Sequence, residues 1–335
     1  MTIIILFALL LVTLAILSWK SSGGTFHAFD AASTLPLRGL AAMLVVLYHV
    51  ACNEREVAFF HHFLMLGDLS VCLFFFISGY GLMVSYINKR ESYLEGFLSR
   101  RFIKILPAFL IATIGYEIFQ SLHSDHSTLE SLTAIVHGGT MLPDSWFVIT
   151  IMIYYLIFYS CARFFHKPSA LVISLWVSTV IYITSLVLLG WESYWYKTIV
   201  SINIGFTYAL LEPRIKHLIT KHPRYLVVGA TTITLLIIAI GVAKQFGLSA
   251  LMLVHFLMPL LAVACVYATG RWSSRALNRA GTISFEIYIM QCIWRHVLYP
   301  TSTIHWSVYL VVTFAITIIT AWLLHSLCNS LTRRR

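Results

Sequence analysis

Arg38 and His49 stand eleven residues apart in the apolar stretch LRGLAAMLVVLYHV, residues 37–50. Eleven residues are close to three helical turns, so both side chains leave nearly the same helix face, about 16 Å apart along the axis. An imidazole exchanges protons near neutral pH and serves as a general base; it can also carry an acyl group transiently as a nucleophile. If this helix spans a bilayer, a fixed cation sits near one surface and a titratable base well inside. Ionisable groups at such depth are costly and mark functional positions. The plainer alternative is a helix-end Arg that snorkels and a His bonded to a neighbouring helix.

Four further stretches carry polar groups in apolar surroundings. In GFLSRRFIKILPAF, residues 96–109, the cations Arg100, Arg101 and Lys104 gather near a helix start. Arg101 and Lys104 share a face, and such a cluster suits the phosphates of a nucleotide-type donor or, more simply, lipid headgroups. In FFFISGYG, residues 74–81, Ser78 and Gly79 let a helix or a ligand approach the backbone, and could supply oxyanion donors. In MLPDSWF, residues 141–147, Asp144 or Ser145 is placed to cap a helix, and Trp146 suits an interfacial belt. In GTISFEIYIMQCIWR, residues 281–295, Ser284, Glu286, Tyr288 and Gln291 fall in one span, and Glu286 must face the bundle and pair. Glu117 and Asn203 are weaker instances of the same kind. The histidines at 61, 62, 123, 126 and 137 make no HExxH-type pattern, and the six scattered cysteines make no metal or disulfide framework; no metal site is expected.

The elements that must position these residues are membrane helices. The chain is 59% hydrophobic and 11% charged, against roughly 25% charged in a soluble domain. Candidate spans fall at about residues 2–19, 35–52, 69–87, 102–120, 146–165, 169–189, 198–211, 225–243, 249–269, 281–298 and 306–327. This predicts an all-α, polytopic transmembrane bundle of about eleven spans. With the N-terminus outside and the C-terminus cytoplasmic, 19 of the 23 lysines and arginines fall on the inner side. The four exceptions are Arg55, Lys197, Lys244 and Arg295. Such a bias meets the positive-inside rule, and it accounts for the net charge of +10 through lipid and cytoplasm, without nucleic acid.

Taken in order, the stretches resemble the acyltransferase type 3 family of integral-membrane O-acyltransferases. LRGLAAMLVVLYHV is similar to the family's first-helix Arg and His signature and FFFISGYG to its Phe-rich Ser-Gly-aromatic motif. FLSRRFIKILPAF resembles its basic motif ending in Pro, SWFVITIMIYYLIF its Trp-led middle helix, and GTISFEIYIMQ its late Gly-Ser-Tyr helix. The resemblance covers about residues 33–327. It implies a ten-helix acyltransferase domain at 33–335, preceded at 1–32 by an extra N-terminal transmembrane helix and linker. It also implies acyl-CoA as co-substrate with no permanently bound cofactor, His49 as the catalytic His, and Arg38 as its partner. Arg101 and Lys104 would hold the CoA phosphates, with Arg100 beside them. Lys104 stands where the family usually has Arg, Gln291 where it often has His, and the Val-Glu-Glu of its polysaccharide-modifying members is absent.

The expected activity is therefore O-acetyl transfer from acetyl-CoA to a hydroxyl of an envelope glycan or lipid-linked sugar, by a multi-pass protein of the cytoplasmic (inner) membrane. The rival from another class is a transporter or flippase of a lipid-linked saccharide. That class favours inverted repeats and matched broken helices, which the sequence does not show.

Overall fold

The computed structural model describes residues 31–54, 56–64, 66–123, 127–222, 274–299 and 305–333, with 229, 232 and 235. The expected spans at 2–19 and 249–269 lie outside the described residues, as does all but three residues of 225–243. Every regular element among the described residues is helical, as an apolar chain in lipid requires when water is absent to satisfy its backbone. In chain order they are α1 (Ala31–Asn53), α2 (Leu66–Lys89), the single turn α3 (Glu91–Leu94), α4 (Phe97–His123) and α5 (Thr128–Val136). After them come α6 (Trp146–Phe164), α7 (Pro168–Leu188), α8 (Val200–Lys221), α9 (Arg275–Thr282), α10 (Ser284–Leu298) and α11 (Trp306–Arg333). Six of them, α1, α2, α4, α6, α7 and α11, are long and apolar enough to cross a membrane.

Two glycine pairs fix the neighbours of α1 and α2. A Cβ on Gly39 of α1 would run into the carbonyl oxygen of Leu277 on α9, and one on Gly281 into that of Leu35. On the other side, a Cβ on Gly79 of α2 would meet the Ile202 carbonyl of α8, and one on Gly205 the Phe76 carbonyl. These close approaches are backbone against backbone, the contact that small residues make possible between membrane helices. Of the two occupants that FFFISGYG allows beside Gly79, the structure has the helix. Around these contacts the core is aromatic, with Phe75, Phe76, Phe97, Phe158 and Phe206 fully buried.

Several boundaries differ from those expected by a few residues, and two of them have a structural reason. The late span begins at Ser284, because the chain turns at Ile283 (φ −112°, ψ 19°) and Gly281 belongs to the preceding amphipathic α9. Helix α8 runs ten residues past the expected end, through Pro213 to Lys221. Its charged extension is held by Glu212, which accepts from Tyr80 Oη at 2.8 Å and pairs with Lys216 at 2.9 Å.

Two loops at the His49 end of the bundle are tied together. Trp195 is buried, and its indole N–H donates to the Gly138 carbonyl at 2.7 Å. Gly138 takes φ +81° beneath the Trp191 ring, where a side chain would be both strained and blocked. This tie sets the loop before α6 against the loop before α8, and both contribute to the site.

Candidate functional site

His49 is 9% exposed, three turns along α1 from Arg38. Two residues from distant parts of the chain reach its ring. Arg295, on α10, places Nη1 2.5 Å from His49 Nδ1 and 2.6 Å from Asp144 Oδ2. Asp144 Oδ2 lies 3.9 Å from His49 Nδ1. Asp144 precedes α6 in the left-handed region at φ +58°, a conformation that Asp adopts more readily than most residues. The bend turns its carboxylate toward Arg295 and its carbonyl toward Tyr288, whose hydroxyl donates to it at 2.6 Å.

The expected helix cap is not what these residues make. Ser145 makes no side-chain cap bond; its hydroxyl donates to the Leu142 carbonyl at 2.6 Å. Asp144 is taken up by the ion pair.

The contacts dictate the state of the imidazole. A guanidinium has only donors, so Arg295 gives one proton to Asp144 and another to His49. His49 Nδ1 is then the lone-pair nitrogen, and Nε2 carries the proton. In this form the ring can donate to an oxyanion or a leaving thiolate. It becomes a base at Nε2 when Nδ1–H turns to Asp144 instead, the arrangement by which a carboxylate orients a catalytic His.

A cavity of about 190 Å³ opens beside the ring, lined by His49, Asp144, Trp146, Tyr194, Asp68 and Lys197, with Tyr288 on one wall. Lys197 Nζ pairs with both Asp68 oxygens, at 2.8 and 3.0 Å. The Trp146 and Tyr194 rings lie 5.9 Å apart, tilted by 49°. Burial raises the Tyr194 phenol above its ordinary pKa, and its hydroxyl donates to the Gly138 carbonyl at 3.2 Å.

A second and larger cavity, about 680 Å³, lies along the same stripe of α1 toward Arg38. Arg38, Arg100, Lys104, Ser78, Ser284 and Glu286 line it, and Tyr288 lines it too, so one side chain forms a wall of both cavities. Glu286, buried in α10, pairs with His325 of α11 at 2.8 Å, which satisfies the expectation that it face the bundle and find a partner. Arg38 keeps a buried Nε with no hydrogen-bond partner among the described residues.

Arg101 is differently placed from its neighbours. Its guanidinium lies over the rings of Phe97 (5.6 Å) and Tyr155 (5.5 Å) and donates to Tyr93 Oη at 2.5 Å. Tyr155 lines the large cavity, so Arg101 stands behind that wall while Arg100 and Lys104 open into the space. Ser78 also reaches the space, whereas Gly79 is pressed on α8. Glu117 and Asn203 are held by neighbours, Ser131 Oγ at 2.9 Å and Thr179 Oγ1 at 2.5 Å.

Sequence reasoning did not single out Arg295, Lys197, Asp68 or His325. A signal for the first two was present: both are among the four cations that the topology expected from the sequence leaves on the outer side. Each is paired with an aspartate at the His49 cavity. A cation on the minority side of a membrane protein needs such a reason to be there.

A family model described as an acyltransferase domain matches residues 37–326, a stretch that holds Arg38, His49, Asp144, Glu286 and Arg295. No curated protein and no solved structure shows a significant match to the chain.

Proposed function

The chain belongs to the acyltransferase type 3 family, and we propose that it moves an acetyl group from cytoplasmic acetyl-CoA to a hydroxyl of an extracytoplasmic glycan or lipid-linked sugar. The observation that carries this reading is the pair of cavities meeting at Tyr288, one rich in cations and the other beside His49. The charge bias supports the orientation: about eleven spans in the cytoplasmic membrane, N-terminus outside and C-terminus inside, with Arg38 at the cytoplasmic end.

The donor's phosphates rest on the Arg38 guanidinium and the Lys104 ammonium, with the positive charge of Arg100 beside them, its Nη1 and Nη2 donating to the Glu95 and Tyr93 carbonyls. Arg101 acts at one remove, holding Tyr93 and the cavity-lining Tyr155. The pantetheine arm runs along the stripe of α1 and brings the thioester past Tyr288 to His49. There the acceptor hydroxyl attacks the thioester carbonyl. The new C–O bond forms, the C–S bond breaks, and the hydroxyl proton passes to His49 Nε2 and then to the CoA thiolate. For that sequence Asp144 must take Nδ1–H, so Arg295 yields His49 Nδ1 during the cycle.

The test is acetyl transfer by membranes holding equal amounts of wild-type and His49→Ala protein, paired with acetyl-CoA binding to the purified chain. Transfer lost with binding retained is the expected result. Undiminished transfer removes His49 from the chemistry, and absence of acetyl-CoA binding removes the donor.

A further inference from the structure

We infer that the His49 cavity is built for an uncharged sugar unit, gripped by the Asp68–Lys197 ion pair and stacked on Trp146 and Tyr194. The inference rests on the acyl-transfer reading and adds to it the charge class of the acceptor.

Charge balance carries the argument. At the His49 end, two cations face two carboxylates: Lys197 on Asp68, and Arg295 on Asp144. The fixed charges there cancel. An anionic acceptor would have to sit beside a carboxylate already in place or pull a cation from its partner, and either arrangement costs binding energy. The donor cavity, by contrast, has Arg38, Arg100 and Lys104 against Glu286, which is itself committed to His325. One chain thus builds a cationic cavity for an anion and a balanced cavity for something else.

A sugar hydroxyl suits the balanced cavity. Lys197 and Asp68 are 19% and 28% exposed at their side chains, so the pair is accessible from the cavity. An ammonium has three protons and a carboxylate about four lone-pair sites, more than the two contacts between them use. Adjacent hydroxyls can accept from Lys197 and donate to Asp68 together without adding net charge. The C–H face of the ring then packs on Trp146 and Tyr194, aromatic surfaces that supply contact area without charge. At about 190 Å³ the space takes one unit.

The test uses the full chain reconstituted in nanodiscs with acetyl-CoA and two soluble acceptors, a methyl hexoside and the matching methyl hexuronide, identical except for the carboxylate. Each variant is first checked for acetyl-CoA binding. Wild type should favour the neutral glycoside in kcat/KM by roughly tenfold or more, the scale of one mismatched charge. Asp68→Asn leaves Lys197 uncompensated and should shrink or invert that preference. If Asp68→Asn does not fold, Tyr194→Ala serves instead, and should raise KM for the neutral glycoside more than it lowers kcat. Equal or better transfer to the hexuronide by wild type overturns the inference, as does an unmoved preference in Asp68→Asn or an unmoved KM in Tyr194→Ala. Acetyl-CoA bound and cleaved with neither sugar acetylated also overturns it, while leaving the donor half of the acyl-transfer reading intact. No acetyl-CoA binding at all overturns that reading, and the inference with it.

Discussion

The cavities at the two ends of the α1 stripe differ in how they treat charge. Around Arg38 the cations have no opposite charge in ion-pair range among the described residues: Lys104 is exposed, Arg100 is exposed and donates to the Glu95 and Tyr93 carbonyls, and Arg38 Nε is buried without a partner. Around His49 each fixed charge has an opposite one within 3 Å, Arg295 on Asp144 and Lys197 on Asp68. A site that awaits a polyanion gains by keeping its cations uncompensated, since the ligand then supplies the missing charge. A site that moves one proton gains by having its other charges paired, because buried unpaired charge is costly and would compete for the proton. On the proposed acyl-transfer reading, the contrast divides the labour: binding energy from the first cavity, proton transfer in the second.

The comparison breaks if the two cavities fail together. The largest expected effect is His49→Ala, which should lower acetyl transfer by roughly 10²–10⁴-fold, the usual contribution of general acid–base catalysis. Acetyl-CoA binding, measured by calorimetry on the purified variant, should stay within a few-fold of wild type. A parallel collapse of binding would make the two cavities one site.

The ion pair behind His49 comes next. Asp144→Asn should cost roughly a hundredfold in transfer, because Nδ1–H then has no carboxylate to turn to. It also leaves Arg295 without its counter-charge, at a stability cost of about 2 kcal/mol for a pair only partly buried. Adding Arg295→Gln should return most of the thermal stability and little of the activity. Recovery of activity in the double variant would mean that Asp144 only neutralises Arg295 and does not orient the imidazole.

In the Arg38 cavity the expected changes are in affinity. Arg38→Ala and Lys104→Ala should each weaken acetyl-CoA binding by roughly tenfold, with a loss that shrinks as salt is raised. Lys104→Arg should tighten it by a few-fold, since a guanidinium fork replaces a point charge. Any of these acting on kcat with unchanged affinity would transfer the residue to the other side of the comparison.

How much of this the sequence could show follows from distance along the chain. The eleven-residue spacing of Arg38 and His49 was legible because a helix converts spacing into direction; both do open along one stripe of α1. The cluster at residues 100–104 was legible as charge, yet its division was not. Arg100 and Lys104 enter the cavity while Arg101 turns to Tyr93 and Tyr155, and that depends on rings from another helix. Asp144 read as a cap because its neighbours set it before a helix. Its real partner, Arg295, is 151 residues away, and nothing local connects them. The break at Ile283 likewise leaves Gly281 on α9, against the Leu35 carbonyl across the bundle, a contact that no hydrophobic periodicity encodes.

The smallest expected loss tests the wall itself. Tyr288 lines both cavities and donates its hydroxyl to the Asp144 carbonyl at 2.6 Å. Tyr288→Phe keeps the ring that separates the two spaces and removes one neutral hydrogen bond, worth about 1 kcal/mol or roughly fivefold. Transfer should fall by about that factor, through looser placement of Asp144, and acetyl-CoA affinity should not change. A loss approaching that of His49→Ala would mean that the hydroxyl meets the reacting thioester, and the boundary between a binding cavity and a proton-transfer cavity would then run through the chemistry instead of beside it.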